Sequence, residues 1–314
     1  MPKRVLITGA SGFYGRHLIP YLNARGYLVR AISRRPLPAI GGVETQLIRD
    51  INLVQDWERR LEGIDAVVHL AAMAHMTDKI PDAAYDIINR QAVRKIAKAA
   101  KRNNTKFVFM SSIAAQTSHM SDHVLTESDQ CNPTTAYGRA KLAAELDIAA
   151  MDVPFVILRP VLTYGAGVLG NMGRMIKLAL MPIPPPFGGI RNKRSLLAIE
   201  NMCAVVEFVL GSDVALRQIL LVSDPEPIST PEIVLNIREG AGLKRRGLKI
   251  SPRVLSGALS LIGRRDIWEK IGGSLIASSA KLESLGFSYK YHSPDALRLL
   301  GEAYMRHPVT QFQR

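Results

Sequence analysis

Two residues one helical turn apart, Tyr137 and Lys141 in the segment YGRAK, could carry out proton transfer. Side chains at positions i and i+4 of a helix emerge on the same face and can reach one ligand. Because an ammonium group favours a neighbouring phenolate, we expect Lys141 to lower the pKa of Tyr137 from its usual value near ~10. Tyr137 is therefore a candidate acid or base, although the pair alone would also fit an ordinary exposed helix.

Ser112 is the residue that we expect to assist Tyr137. It ends the run KFVFMSS, which is typical of a buried strand, and ligands bind at the carboxyl ends of strands in open α/β sheets. Its hydroxyl could hydrogen-bond the substrate oxygen that Tyr137 protonates or deprotonates. The sequence therefore predicts a catalytic set of Ser112, Tyr137 and Lys141.

A glycine-rich loop, VLITGASGFYG, precedes the first predicted helix and is typical of a phosphate-binding site. Gly9, Gly12 and Gly15 would allow a tight turn, close approach of the backbone to a pyrophosphate and close packing of helix on strand. The amino terminus of the helix would then face the anion. The spacing is GxxGxxG, not GxGxxG, and it predicts a dinucleotide cofactor. The other cofactor contacts that we expect from this loop are Ser11, Phe13 and Tyr14.

The segment VRAISRRP, at residues 29 to 36, bears on the choice between NAD(H) and NADP(H). A preference for NAD(H) would require a carboxylate after the second strand, to bind the ribose hydroxyls. The chain has Ser33, Arg34 and Arg35 there instead. Arginines attract a 2′-phosphate that a carboxylate would repel, and a serine leaves room for it. We therefore predict NADP(H), with NAD(H) still possible because the arginines would also fit a solvated basic loop.

The elements that must position these residues alternate between short apolar runs and longer helical stretches. Such alternation is typical of βαβ units with parallel strands buried on both faces. We predict an α/β fold with a doubly wound parallel sheet, of the Rossmann type, and a smaller C-terminal α/β substrate lobe. The boundaries that we expect are 1–165 for the cofactor domain and 166–314 for the substrate lobe, with a return to the sheet near 195–224.

The charge balance points to an anionic partner or to solubility alone. The 314 residues contain 41 Lys and Arg against 27 Asp and Glu, a net charge of +14. We expect no nucleic-acid partner, because no arginine-rich run is interleaved with aromatic residues. The two cysteines lack a CxxC pattern, so we expect no metal site and a cytoplasmic location. No stretch is long and apolar enough to span a bilayer, although a peripheral membrane contact is possible.

The motifs together resemble the extended short-chain dehydrogenase/reductases of the NAD-dependent epimerase/dehydratase family. They are the glycine triplet, RDI at 49–51, HLAA at 69–72, Asn89, SSI at 111–113, YGRAK at 137–141 and LRPVLTYG at 158–165. The resemblance implies that the second serine of the pair, Ser112, is catalytic. It further implies cofactor contacts at Asp50, Ile51, Leu70, Ala71, Ala72, Asn89, Tyr137, Lys141 and Pro160. It also implies a homodimer that forms through helices near 83–102 and 136–151.

The same resemblance narrows the reaction and the substrate. The family's sugar dehydratases carry an Asp-Glu pair after the catalytic serine or threonine, whereas this chain has Ile113 and Ala114. Reversible hydride transfer with one proton is the chemistry that remains. In the nucleotide-sugar members, an asparagine and an arginine of the substrate lobe hold the diphosphate. The positions that match the substrate contacts, besides Ser112, are Asn171, Phe187, Arg194 and Arg264.

The block PIPPPFGGIRNKRSL resembles nucleotide-sugar 4-ketoreductases and 4-epimerases of surface-polysaccharide synthesis. We therefore expect NADPH-dependent reduction of a UDP-4-keto sugar. The alternative is a UDP-hexose 4-epimerase, acting on UDP-glucose or a UDP-N-acetylhexosamine with a retained NAD. Three further alternatives stay open: a reductase of small ketones or steroids that does not need Arg194, a cofactor-binding redox sensor, and a peripheral membrane protein that uses its basic final segment.

Overall fold

The computed structural model describes residues 3–74, 80–118, 120–261, 263 and 265–306. Seven strands form one parallel sheet in the order β10-β7-β5-β4-β1-β2-β3, so the predicted doubly wound α/β fold is confirmed. Two pairs of short strands, β6 with β11 and β8 with β9, form small separate sheets. The strands are β1 Arg4–Thr8, β2 Leu28–Ser33, β3 Val43–Leu47, β4 Ala66–His69, β5 Lys106–Met110, β6 Val124–Leu125, β7 Phe155–Pro160, β8 Leu162–Tyr164, β9 Leu196–Ala198, β10 Gln218–Val222 and β11 Ile276–Ala277.

Helices cover both faces of the central sheet and build most of the C-terminal lobe; the name substrate lobe, kept below, expresses the prediction about its role. A short π-helical turn, Ile87–Gln91, joins α3 to α4, and two 3₁₀ turns lie at Ile51–Leu53 and Ile113–Ala115. The helices are α1 Phe13–Asn23, α2 Trp57–Arg60, α3 Asp82–Asp86, α4 Ala92–Arg102, α5 Ala136–Ala149, α6 Gly170–Ala179, α7 Ile199–Gly211, α8 Thr230–Gly240, α9 Pro252–Leu261, α10 Arg265–Gly272, α11 Ala280–Ser284 and α12 Ser293–Arg306.

The alternation of side chains along each strand separates the core into two layers. On β1, Val5 and Ile7 pack with α1 and α7 on one face, while Leu6 packs with α4 and α5 on the other. All three side chains are fully buried, as a parallel sheet with helices on both faces requires. The carboxyl ends of the strands therefore meet at one edge, where Thr8, His69 and Met110 end their strands.

The substrate lobe has its own apolar cluster, formed by α6, α8 and α12. Helices α8 and α12 cross so closely that a Cβ at Gly240 would lie 1.8 Å from the Arg298 carbonyl oxygen. The chain returns to the central sheet at β10, which pairs with β7. Strand β9, inside the segment 195–224, pairs with β8 outside the central sheet. Among the described residues, no helix has both the length and the apolar character needed to cross a membrane.

Candidate active site

The glycine loop at the end of β1 fits a dinucleotide. Gly9 has a φ of +71°, and a Cβ there would lie 2.6 Å from the backbone nitrogen of Ala71. A Cβ at Gly15 would lie 2.4 Å from the carbonyl oxygen of Ala10. Helix α1 begins after Gly12 without a side-chain cap, so the N–H groups of its first turn are available to an anion. This arrangement could hold the pyrophosphate of a dinucleotide.

The end of β2 lies beside the glycine loop, because the backbone nitrogen of Ala10 donates to the carbonyl oxygen of Ile32 at 3.2 Å. The buried Ser33 hydroxyl accepts a hydrogen bond from the backbone nitrogen of Arg35 at 3.1 Å. Arg34 and Arg35 are exposed, and no acidic side chain of the described residues forms an ion pair with either. Two unpaired guanidinium groups are thus available to an anion beside the glycine loop.

A cavity of about 810 Å³ opens at the carboxyl ends of the strands, between the sheet and the substrate lobe. It brings together most of the predicted catalytic and substrate residues with part of the predicted cofactor site. The predicted residues that line it are Ser11, Gly12, Phe13, Tyr14, Leu70, Ala72, Ser112, Tyr137, Lys141, Pro160, Asn171, Phe187 and Arg194. Those that do not line it are Gly9, Gly15, Ser33, Arg34, Arg35, Asp50, Ile51, Ala71 and Asn89. Arg264 lies outside the described residues.

Helix α5 presents Tyr137 to Ser112. The Thr135 hydroxyl caps the helix by accepting from the backbone nitrogen of Gly138 at 3.0 Å. A Cβ at Gly138 would lie 2.1 Å from the Ala114 carbonyl oxygen, so only glycine lets α5 approach the turn that carries Ser112. Tyr137 and Ser112 both line the cavity. Burial raises the pKa of Tyr137 to about 12, and the Ser112 hydroxyl counteracts part of this increase.

The expectation that Lys141 lowers the pKa of Tyr137 is wrong for this arrangement. The Lys141 ammonium is buried, donates to the Met110 carbonyl oxygen at 2.7 Å, and lies 6.0 Å from the Tyr137 ring centroid. Burial lowers the pKa of Lys141 to about 7, against the attraction of Glu145. The lysine is therefore held by the end of β5, and burial of the phenol decides the direction in which the pKa of Tyr137 moves.

A buried polar network that the sequence analysis missed lies next to Lys141 and Ser112. Glu145 lies one helical turn beyond Lys141 and pairs with Arg159 of β7, with Nη2 and Oε2 2.5 Å apart. Glu145 also accepts a hydrogen bond from Ser111, the neighbour of Ser112. Arg159 donates from Nη1 to the Gln116 side chain at 3.1 Å. The network joins α5, β5 and β7 beneath the catalytic residues.

Side-chain hydrogen bonds hold the HLAA segment in place. The Nδ1 atom of His69 lies 2.9 Å from the Thr8 hydroxyl, which also accepts from the backbone nitrogen of Ala71 at 3.4 Å. Burial lowers the pKa of His69 to about 3, so the ring is neutral. The amide of the fully buried Asn89 bonds both backbone groups of Met73, at 2.8 and 3.0 Å. Asn89 therefore shapes the cavity wall.

The charge of the cavity lining is positive. The lining cations, besides Lys141, are Arg16, Arg174, Arg194 and Lys270. No aspartate or glutamate of the described residues lines the cavity, and no three of their potential ligands cluster as a metal site would require. Arg194 is nearly buried, donates to the Gly273 carbonyl oxygen at 2.8 Å, and forms no ion pair with a described carboxylate. Such a lining suits an anionic ligand, and its described residues offer no carboxylate for acid-base catalysis.

The comparisons with known proteins agree with these features. The pattern that defines the NAD dependent epimerase/dehydratase family matches residues 5–222. A UDP-glucose 4-epimerase of Vibrio cholerae is 30% identical over 318 residues, which cover 98% of this chain and 97% of that protein. The chain belongs to the NAD-dependent epimerase/dehydratase family. It is therefore an enzyme of the extended short-chain dehydrogenase/reductase type, as the motifs indicated.

Solved structures of this enzyme type have the same overall fold. The Bordetella bronchiseptica enzyme WbmG, in complex with NAD and UDP, aligns with a TM-score of 0.80 at 22% identity, over 99% of this chain and 98% of its own. MoeE5, in complex with UDP-glucose and NAD, aligns with a TM-score of 0.76 at 25% identity, over 96% of this chain and 99% of its own.

Proposed function

We propose that this enzyme reduces the keto group of a UDP-4-keto sugar with NADPH, as a step in surface-polysaccharide synthesis. The observation that carries the choice of cofactor is that Arg34 and Arg35, beside the glycine loop, are exposed and form no ion pair with a described carboxylate. Two guanidinium groups there would bind a 2′-phosphate that the ribose of NAD lacks. A cofactor drawn from the cellular NADPH pool suits net reduction, whereas an epimerase must recover its cofactor in each cycle.

The catalytic residues would divide the work between binding and proton transfer. The cofactor, when bound, supplies hydride to the carbonyl carbon. Ser112 holds the carbonyl oxygen, and Tyr137 donates the proton that converts it to a hydroxyl. The pKa of Tyr137, about 12, keeps the phenol protonated at neutral pH and ready to donate. Lys141, fixed by the Met110 carbonyl oxygen, would orient the ribose of the cofactor.

The substrate lobe would hold the nucleotide part of the substrate. We assign the diphosphate to Arg194, whose buried guanidinium lines the cavity without a described carboxylate partner. Asn171, at the start of α6, and Phe187 would border the nucleotide. The absence of lining carboxylates among the described residues supports hydride transfer over dehydration, which needs a further acid and base. The complexes of MoeE5 with UDP-glucose and of WbmG with UDP support a uridine nucleotide.

The direct test is to mix purified enzyme with NADPH and a UDP-4-keto sugar and to follow the absorbance of reduced nicotinamide. We expect the absorbance to fall and the Tyr137→Phe variant to bind NADPH without turning over. An unchanged absorbance with the intact enzyme would refute the proposal. Arg194→Ala should raise KM for the nucleotide sugar more than it lowers kcat, and an unaltered KM would favour a substrate without a diphosphate.

The second candidate function is a UDP-hexose 4-epimerase with a retained NAD. The observation that favours it is the similarity to the Vibrio cholerae UDP-glucose 4-epimerase over nearly the whole chain. Mass analysis of the nucleotide that co-purifies separates the two candidates. Tightly held NAD, with interconversion of two UDP-hexoses in the absence of added NADPH, would identify the epimerase.

We also propose that the enzyme is a cytoplasmic homodimer in which the helices near 83–102 and 136–151 form the contact. Two apolar side chains of these segments, Leu146 at 63% and Ile87 at 37% exposure, are available for it. Sedimentation equilibrium should give a dimer, and Leu146→Asp should shift it towards monomer. A monomer at all concentrations of the intact enzyme would refute this assignment.

A further inference from the structure

Helix α9 is an amphipathic helix whose outward face is apolar. None of its described residues is fully buried. Leu255 packs against the apolar cluster of the lobe, whereas Val254 is 62% exposed and Leu261 is 90% exposed. The exposed Gly257 and Ala258 lie between them on the same face, at helical spacing. A leucine with nearly its whole side chain in water is costly unless another surface covers it.

Two loops extend this apolar face beside α9. The backbone nitrogen of Leu248 donates to the Pro185 carbonyl oxygen, and that of Gly188 donates to the Leu248 carbonyl oxygen, each at 2.9 Å. These bonds join Leu248, 51% exposed, to the loop that carries Ile183, 60% exposed and two residues before Pro185. The buried Arg238 bonds the carbonyl oxygens of both loops, among them Met181 at 2.8 Å and Lys244 at 3.1 Å. The second loop runs along the chain into α9, and the two loops together with α9 are here called the α9 face.

The α9 face is strongly basic. Residues 244–261 contain five cations, Lys244, Arg245, Arg246, Lys249 and Arg253, and no acidic residue. All five are exposed, and Arg245 forms an ion pair with Glu239. No described carboxylate forms an ion pair with the other four. Exposed leucines and a valine, with four nearby cations that form no ion pair with a described carboxylate, are the composition of a surface that enters the interface of an anionic bilayer.

The α9 face lies beside the cavity. Phe187, which precedes Gly188 in the loop, lines the cavity, and α10, which packs on α9, contributes Ile267, Lys270 and Ile271 to the lining. We infer that the α9 face docks the enzyme on a membrane surface rich in anionic phospholipid, with the substrate end of the cavity near that surface. Exposed aliphatic side chains favour lipid over nucleic acid, because Phe187 is buried and the described residues of the face offer no exposed aromatic side chain to stack on bases.

Cosedimentation of the intact enzyme with vesicles tests this inference without any measurement of activity. The enzyme should sediment with vesicles of phosphatidylcholine mixed with phosphatidylglycerol, much less with pure phosphatidylcholine, and less again at high salt. The double variants Val254→Asp/Leu261→Asp and Lys249→Glu/Arg253→Glu should each weaken the partition at least about tenfold. These positions are exposed, so we expect melting temperatures close to that of the intact enzyme.

Matched changes elsewhere on the surface provide the controls. Arg49→Glu/Lys290→Glu, at exposed positions outside the α9 face and outside the proposed dimer helices, makes the same charge change, and Leu47→Asp on the edge strand β3 makes a similar apolar change. Both should leave vesicle binding unaltered. Equal binding to neutral and anionic vesicles, or none to either, would overturn the inference. If the intact enzyme does not bind vesicles and Val254→Asp/Leu261→Asp loses self-association, the face contacts a second copy of the chain and the inference is overturned. Binding to duplex DNA that only the charge variant loses, again without vesicle binding, would also overturn it.

Discussion

The substitution Gly138→Ala tests how closely helix α5 must approach the turn that carries Ser112. The new Cβ would lie 2.1 Å from the Ala114 carbonyl oxygen, where ordinary contact begins at 3.4 Å, so the helix or the turn must move by 3.4 − 2.1 = 1.3 Å. Overpacking of this kind costs ~1–3 kcal/mol, from which the better helix propensity of alanine subtracts ~0.5–1 kcal/mol. A displacement of Tyr137 by ~1 Å from Ser112 should also lower kcat about 100-fold.

Thermal unfolding and steady-state kinetics measure both effects. Gly257→Ala is the matched control, because Gly257 lies within helix α9 and a Cβ there meets nothing within 4 Å. This control should be stabilised by ~0.5–1 kcal/mol and keep full activity. A Gly138→Ala enzyme with an unaltered melting temperature and kcat would refute the argument that this close approach positions Tyr137.

Three further substitutions test other parts of the account. Arg34→Ala/Arg35→Ala should lower kcat/KM for NADPH ~10–100-fold and leave that for NADH unchanged, and equal losses for both cofactors would contradict a 2′-phosphate site. Glu145→Gln leaves Arg159 buried without its counter-ion and should lower the free energy of unfolding by ~3–5 kcal/mol in urea titrations. An unchanged urea midpoint would contradict a stabilising role for this ion pair. Burial lowers the pKa of His69 from 6.5 to about 3, so the free energy of unfolding should fall by about 5 kcal/mol as the pH falls through that window. His69→Gln should flatten this dependence, and an unaltered dependence of the free energy of unfolding on pH in the variant would contradict the assignment.

The sequence predicted the strands of the central sheet and the glycine loop, because each is specified by residues that are close together in the chain. Apolar runs such as VVH of β4 and FVFM of β5 cannot face water on either side, so the parallel sheet followed from them. The glycine loop was predictable from its spacing, because glycines are needed where backbone segments pass close to each other. The structure has such close approaches: an added Cβ would lie 2.6 Å from a backbone atom of Ala71 at Gly9 and 2.4 Å from one of Ala10 at Gly15. The cofactor and substrate assignments that rest on individual residues stay predictions.

The sequence could not predict contacts between residues far apart in the chain. The pair of Glu145 and Arg159 depends on how α5 lies against β7, although the spacing of Glu145 from Lys141 was a signal that an acid faces the same way. The pKa of Lys141 depends on how deeply the helix is buried, which no local pattern encodes. Gly138 left a local signal, because a glycine in the first turn of a helix usually marks a close contact.

The central claim is that Tyr137 donates a proton to a sugar oxygen while hydride reaches the neighbouring carbon. Mass spectrometry of the product formed with NADPH that carries deuterium at the transferred position tests it most directly. We predict one deuterium on the former keto carbon of the UDP-sugar for each NADPH consumed, and none with the Tyr137→Phe variant. A product without deuterium, or full incorporation by Tyr137→Phe, would contradict the account.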